Sequence, residues 1–332
     1  MVIVDRIRKD QQPVGESLAP AAGMLLEQLD VFDEFCCGPH LRCYGNKSAW
    51  GSDSIRYTDF INSQYGNGWH IDRRAFEALL RKTALARGAE FRTTKKGTST
   101  ITKDGNAWNV HYAEDEFNMR AKFLIDASGR NAAIARKMNA ERLKVREQVA
   151  LVAFPEVTNG LEDTTSLVET SESGWWYSAA LPGSRMVVCY FTAPDLVAGL
   201  RPSARDWRGL LNRAPHTLHR LLSCGNYTLS EPPRYVDASE SRLKTVHADG
   251  WAAVGDAACS YDPLTAHGLT LSITSARDLA SAVAGAFSGD NSGLVEYERR
   301  MTEVFNYAGS NCESLYRSER RWPDSLFWKR FK

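Results

Sequence analysis

Trp251-Ala-Ala-Val-Gly-Asp-Ala-Ala258, followed shortly by Asp262-Pro-Leu-Thr-Ala-His-Gly-Leu269, decides how this chain is read. A short apolar run breaks at Gly255-Asp256, turns through small residues and reaches Gly268 at the mouth of a helix expected over 268–287. A strand, turn and helix of this kind suit backbone that must press against an extended, phosphate-bearing ligand. Gly255 leaves room for close approach, Asp256 offers two acceptor oxygens to hydroxyls, and the first helical turn offers unpaired N–H groups.

The composition of the whole chain sets the first bounds. Its 332 residues give a length prior of about two domains. A net charge of +1 with 43% hydrophobic and 24% charged residues argues against nucleic acid or an acidic membrane surface as the main partner. No apolar run approaches the roughly 18 residues of a membrane span, and Met1-Val-Ile-Val-Asp-Arg6 is no signal peptide. Seven cysteines lie scattered; Cys36, Cys37 and Cys43 form a cluster without paired Cys-x-x-Cys spacing. Buried or half-buried free thiols in a reducing cytoplasm, and no metal, are the expectation.

Val2-Ile-Val-Asp5-Arg6 reads as the end of a buried parallel strand, with Asp5 placed to receive adenosine ribose hydroxyls. A Gly-x-Gly-x-x-Gly turn belongs about 20 residues ahead of such an acid. None occurs here, so the first strand is expected to be missing and the chain to be truncated relative to a functional enzyme. Val14-Gly-Glu-Ser-Leu-Ala-Pro20 precedes a helix through Leu25, Leu26 and Leu29. Phe76, Leu79, Leu80 and Ala84 predict an amphipathic helix over 73–87, capped by Asp72 and stopped at Gly88. Asp104-Gly105 predicts a hairpin. Ala121-Lys-Phe-Leu-Ile-Asp126-Ala-Ser-Gly129-Arg130 reads as a second strand and turn, and strands follow at 148–155, 166–170, 175–181 and 185–192. A helix near 204–222 comes next, before the chain returns to the nucleotide fold. The domains expected are 1–146 with 237–290 for the nucleotide, 147–236 as an inserted β-sheet substrate domain, and 291–332 as a helical C-terminal tail.

The Gly-Asp and Asp-Ala-Ser-Gly motifs, with the Gly-Glu-Ser segment, resemble FAD-dependent monooxygenases of the p-hydroxybenzoate hydroxylase fold. The resemblance is to the branch that includes the flavin-dependent halogenases, and it covers nearly the whole chain. It implies an α/β fold with a Rossmann-like FAD-binding domain, lacking its first strand. The residues themselves nominate Asp5, Arg73, Asp126, Gly129, Gly255 and Asp256 for FAD contact; the resemblance adds Pro263 and Gly268 along the flavin. It also brings Arg73, at its helix start, toward the phosphate and ribityl region.

Trp50, Trp69, Trp175 and Trp176 are the candidate walls for a flat aromatic substrate. His267 and His70 are the candidate acid–base residues. The chain lacks the Trp-x-Trp-x-Ile-Pro motif of tryptophan halogenases, a lysine in the matching context, and the Tyr-x-Trp-x-Phe-Pro of geranylgeranyl reductase-like enzymes. Ser-Ala-Trp50-Gly-Ser, Gly-Trp69-His-Ile-Asp-Arg73 and Arg-Trp322-Pro-Asp-Ser are most similar to halogenase-related flavoproteins that hydroxylate tryptophan within a partner protein. That likeness implies a monooxygenase using O2, with NAD(P)H or a reductase partner as electron donor. Its substrate is an aromatic small molecule or a partner protein carrying the target tryptophan. The alternatives are a truncated remnant without activity and, less favoured, a halogenase or reductase.

Overall fold

Parallel pairing brings the two motif strands together. In the computed structural model, which describes residues 1–6, 12–95, 99–112, 117–160 and 162–332, Leu124–Asp126 runs parallel to Trp251–Ala253 with Asp126 opposite Ala253. Val254 N–H donates to the Asp126 carbonyl at 3.0 Å. The Asp-Ala-Ser-Gly turn and the Gly-Asp turn therefore leave the sheet side by side. Behind them, Leu124, Trp251, Ala252 and Ala253 pack against the helices Gly268–Phe287 and Ser292–Ser318 through Leu279, Val283, Leu294, Tyr297 and Phe305. Alanines on the strand let these helices approach closely.

Val2–Arg6 is a parallel strand, paired with Glu90–Thr94. It is not the buried strand expected: Val2, Asp5 and Arg6 are exposed, while Ile3 and Val4 are half-buried. Among the described residues it pairs with one strand only.

The helix Arg73–Ala86 forms where expected, with Asp72 Oδ1 accepting from Ala75 N–H at 3.0 Å. Gly88, at φ +84°, turns the chain out of it. The region expected as one helix near 204–222 is two, Ala204–Leu211 and Pro215–Ser223. Pro215 has no N–H to continue a helix but suits the first position of a new one.

A nine-stranded sheet forms the second layer. Its middle strands, Ser166–Ser171, Gly174–Leu181 and Arg185–Thr192, are antiparallel neighbours, and Val149–Ala153 joins beside Arg185–Thr192. Two further members come from early in the chain. Gly45–Ala49 lies parallel to Ser166–Ser171, and Arg56–Asp59 pairs beyond it.

Side chains in this sheet alternate with period two. Met186, Val188 and Tyr190 face one side, with Trp176, under Trp207, Leu211 and Leu221 of the two short helices. Val187, Cys189 and Phe191 face the other, with Trp175, toward Val14, Leu264, Tyr316 and Trp328. That second face looks at the flavin-type motifs. No helix of the described residues is long and apolar enough to cross a membrane.

Candidate functional site

Three arginines gather at the paired turns. Gly129 and Gly255 sit at φ +68° and +57°, the left-handed region that favours glycine. Arg142 Nη2–H donates to the Asp256 carbonyl at 2.8 Å, and Arg142 Nη1–H to that of Ala257 at 2.9 Å. Arg130 Nε lies 3.6 Å from Asp256 Oδ2, while its Nη1–H donates to the Ser239 carbonyl. Burial raises the Asp256 carboxyl above its usual range, opposed by the charges of Arg130, Arg142 and Arg73. Asp237 also faces Arg130 and Arg142, and Arg73 pairs with Glu77 at 2.6 Å, so the three guanidinium groups sit in a mixed cluster of charges rather than against Asp256 alone.

Arg73 joins this group to the Gly-Glu-Ser segment. Its Nη1–H donates to the carbonyls of Val14 at 3.1 Å and Gly15 at 2.8 Å, and its Nη2–H to Glu77 at 2.6 Å. Arg73 Nε is buried with no acceptor among the described residues. Next to it Glu16 is buried, with no donor to its Oε1 among the described residues. Burial pushes the Glu16 carboxyl up to about 7, opposed by Arg73. An orphaned donor at the start of the helix Arg73–Ala86 and an orphaned acceptor on the facing Gly-Glu-Ser segment, beside the arginine cluster, fit a ligand that is both anionic and rich in hydrogen-bonding edges, as FAD is.

His70 stands opposite Ser17 across a strand pair, and Ser17 Oγ shares a 2.5 Å hydrogen bond with the Tyr177 hydroxyl. His70 is 1% exposed, and neither ring nitrogen has a hydrogen-bond partner among the described residues. Burial, reinforced by Arg220, lowers it to about 3. The folded protein therefore favours the neutral form of the His70 imidazole.

The two buried groups act on stability in opposite directions. Glu16 binds its proton more tightly folded than unfolded, so its contribution is present below its ordinary 4.5 and lost as pH rises through about 7. His70 favours the folded state above its ordinary 6.5, and that contribution is lost as pH falls toward about 3. Glu16→Gln is therefore expected to gain stability relative to the parent between about pH 5 and about pH 8. Urea unfolding at both pH values checks this, and a difference that does not change with pH contradicts it.

Asp126 is nominated for cofactor contact, yet it is fully buried and both its oxygens are engaged locally. Oδ1 accepts from the Ser128 N–H and hydroxyl, and Oδ2 from the N–H groups of Ile134 and Ala135, at 2.6–3.0 Å. It shapes the Gly129 turn and caps the short helix Ala133–Lys137. Pro263 opens a 3₁₀ turn capped by Asp262, Gly268 opens the long helix, and His267 lies exposed between them. Its Nδ1 contacts the Thr265 carbonyl. Asp5 lies exposed on the outlying strand Val2–Arg6.

The four tryptophans do not form one wall. Trp175 and Trp176 are each 1% exposed and point to opposite sheet faces, as consecutive strand residues must. Trp69 belongs to a separate core with Phe35 and Phe76. Trp50 alone joins Trp175, their ring centroids 6.3 Å apart. Sequence reading passed over Arg130, Arg142 and Glu16 as site residues, although Arg130 and Glu16 stand inside the motifs themselves. A cavity of about 560 Å³ beside Glu90–Thr94 is lined by none of these residues. Among the described residues no group of three or more His, Cys, Asp or Glu could hold a metal ion. Cys36 and Cys37 are exposed free thiols, and the other five cysteines are buried.

Residues 47–332 match the family model described as tryptophan halogenase. The chain is 27% identical to "Putative FAD-dependent oxidoreductase LodB" of Marinomonas mediterranea, over 99% of this chain and 89% of that protein. Its fold is similar to the crystal structure of CmlS, a flavin-dependent halogenase, with a TM-score of 0.87 at 22% identity. That match covers all of this chain and 62% of CmlS. It is also similar to QhpG, a peptidyl tryptophan dihydroxylase essential for tryptophylquinone cofactor biogenesis, with a TM-score of 0.76 at 18% identity, over 99% of this chain and 72% of QhpG.

Proposed function

The chain belongs to the tryptophan halogenase family, and from that premise we propose that it is an FAD-dependent monooxygenase acting on an aromatic ring, with peptidyl tryptophan as the favoured substrate. The observation that carries the FAD assignment is the convergence of Arg73, Arg130 and Arg142 on the Gly255-Asp256 turn. Bound there, FAD would supply the redox chemistry, with NAD(P)H or a reductase partner as electron source and O2 as oxidant.

The residues of the chain have four tasks in this reading. Arg73, Arg130 and Arg142 offset phosphate charge, while Gly129 and Gly255 let backbone approach the cofactor. Asp256 and Asp5 offer acceptors to ribityl and ribose hydroxyls. Pro263 and Gly268 present the turn and the first helical N–H groups to the flavin. Glu16, poised near neutrality beside Arg73, holds or releases a proton within the loop, and His267 stands exposed at the turn's far end. The sheet face carrying Trp175, Tyr177 and Phe191, with Trp50 at its rim, excludes water from the reacting ring.

Peptidyl tryptophan is favoured by the resemblance in the Trp50, Trp69 and Trp322 segments and by the likeness of fold to QhpG. Halogenation is the second reading, favoured by the family's description. The test supplies FAD, a flavin reductase, NADH, bromide and a tryptophan-containing polypeptide, and follows O2 uptake and product mass. Added oxygen on the polypeptide supports hydroxylation. Replacement of hydrogen by bromine supports the second reading, and O2 uptake without any product overturns both.

A further inference from the structure

We propose that Tyr316 is a positioning residue for the Asp262–Thr265 turn, so that seating of the C-terminal tail and retention of FAD are coupled. This rests on the reading above in one respect, that the turn faces the flavin.

The Tyr316 hydroxyl is the meeting point of three elements. It accepts from Trp175 Nε1–H at 2.9 Å and from Gln148 Nε2–H at 3.1 Å, and it donates to Asp262 Oδ2 at 3.1 Å. A phenol has one proton and two acceptor positions, so these bonds use its whole capacity. All of it is buried: Tyr316, Trp175 and Asp262 are each 1% exposed.

Asp262 in turn sets the turn's shape. Its Oδ1 accepts from Leu264 N–H at 2.9 Å, capping Pro263–Thr265, and its Oδ2 accepts from Arg146 Nη1–H at 2.7 Å. Ala266 follows at φ +52°, a left-handed conformation unusual for a residue with a Cβ, and leads through His267 into the helix that opens at Gly268. The surrounding contacts must hold that geometry in place.

On the other side, Tyr316 is gripped by the tail. Its ring stacks on Phe331 with centroids 4.1 Å apart, and the Arg146 guanidinium lies 4.8 Å from the Tyr316 ring and 5.2 Å from that of Phe331. Trp328 donates through Nε1–H to the Ser171 carbonyl at 2.9 Å, and Glu319 accepts from Gly51 N–H at 2.9 Å and from Thr170 Oγ1–H at 2.7 Å. The tail is thus fastened to the sheet, and Tyr316 carries that fastening to the turn. A phenylalanine would fill the same space and keep the ring stack. Only the three polar links would be lost.

The test compares Tyr316→Phe with Tyr190→Phe. Tyr190 is buried on the far sheet face, where its hydroxyl donates to the Ser173 carbonyl at 2.8 Å. FAD affinity, the visible circular dichroism of bound flavin and thermal unfolding are measured for both. Tyr316→Phe is expected to weaken FAD about tenfold and to alter the flavin dichroism, because it breaks a hydrogen bond to a charged group. Tyr190→Phe is expected to alter neither, even at an equal loss of thermal stability. Phe331→Ala, which changes the tail alone, is expected to weaken FAD by about fivefold or more, and answers the question should Tyr316→Phe not fold. Unchanged flavin binding in Tyr316→Phe, or effects in both tyrosine variants that merely follow unfolding temperature, overturn the proposal while leaving the FAD reading standing. A parent protein that binds no FAD overturns both.

Discussion

Gly174→Ala is expected to destabilise the protein by about 3 kcal/mol or more. Gly174 begins the strand Gly174–Leu181 at φ +153°, and a Cβ there would lie 2.1 Å from the Phe191 carbonyl oxygen. That atom is backbone of the neighbouring strand, so no side-chain rotation relieves the clash. The strands must part where Trp175 pairs with Phe191, whose rings stack at 3.9 Å. Against a typical total stability of about 5–15 kcal/mol, this is a large fraction. Gly199→Ala, with nothing near its Cβ position and no positive φ, is the comparison and is expected to be nearly neutral. Equal midpoints for the two variants in urea unfolding would show that the Gly174 contact is not a tight one.

The second large effect concerns the cofactor. Arg73→Gln is expected to lower FAD affinity by at least about tenfold, the equivalent of about 1.4 kcal/mol. The change removes one of three positive charges facing Asp256 and releases the carbonyls of Val14 and Gly15 that Arg73 holds. Charge-assisted bonds of this kind are worth about 1.5–3 kcal/mol each. The helix itself keeps its Asp72 cap, so the unfolding midpoint should move far less than the dissociation constant. An Arg73→Gln protein with unaltered affinity would remove Arg73 from the cofactor site.

Local features of the fold were legible where neighbouring residues determine them. Asp72, the apolar spacing from Phe76 to Ala84 and Gly88 delimit a helix that the structure places at Arg73–Ala86. The nearly continuous apolar run 185–192 became a strand buried on both faces. Pro215 carried a readable break in the following helical region that the apolar pattern alone concealed. The same period-two rule that marks strand 174–181 also separates Trp175 from Trp176, so the sequence already implies that the two indoles serve opposite faces of the sheet.

What stayed hidden depends on contacts far apart in the chain. Nothing near Gly45–Ala49 announces that it will lie parallel to Ser166–Ser171. Asp126 looked like a ligand because a carboxylate after a strand often is one. Only the backbone path through Ala132, at φ +44°, shows its oxygens turned onto Ile134 and Ala135. Arg142 reaches the Asp256 turn through antiparallel pairing of Arg142–Arg146 with Glu240–Leu243, which brings residues about a hundred positions apart into register. Tyr316 gathers partners from 148, 175 and 262, and no motif spans them.

An FAD site at the paired Gly129 and Gly255 turns has a direct spectroscopic consequence. It is tested most directly by the absorption spectrum of the purified chain after incubation with FAD and desalting. The expected result is visible flavin bands that stay with the protein at one flavin per chain, and are weaker in Arg73→Gln after the same desalting. A colourless protein that still unfolds cooperatively would contradict such a site, because the arginine cluster would then be present and folded without holding the cofactor.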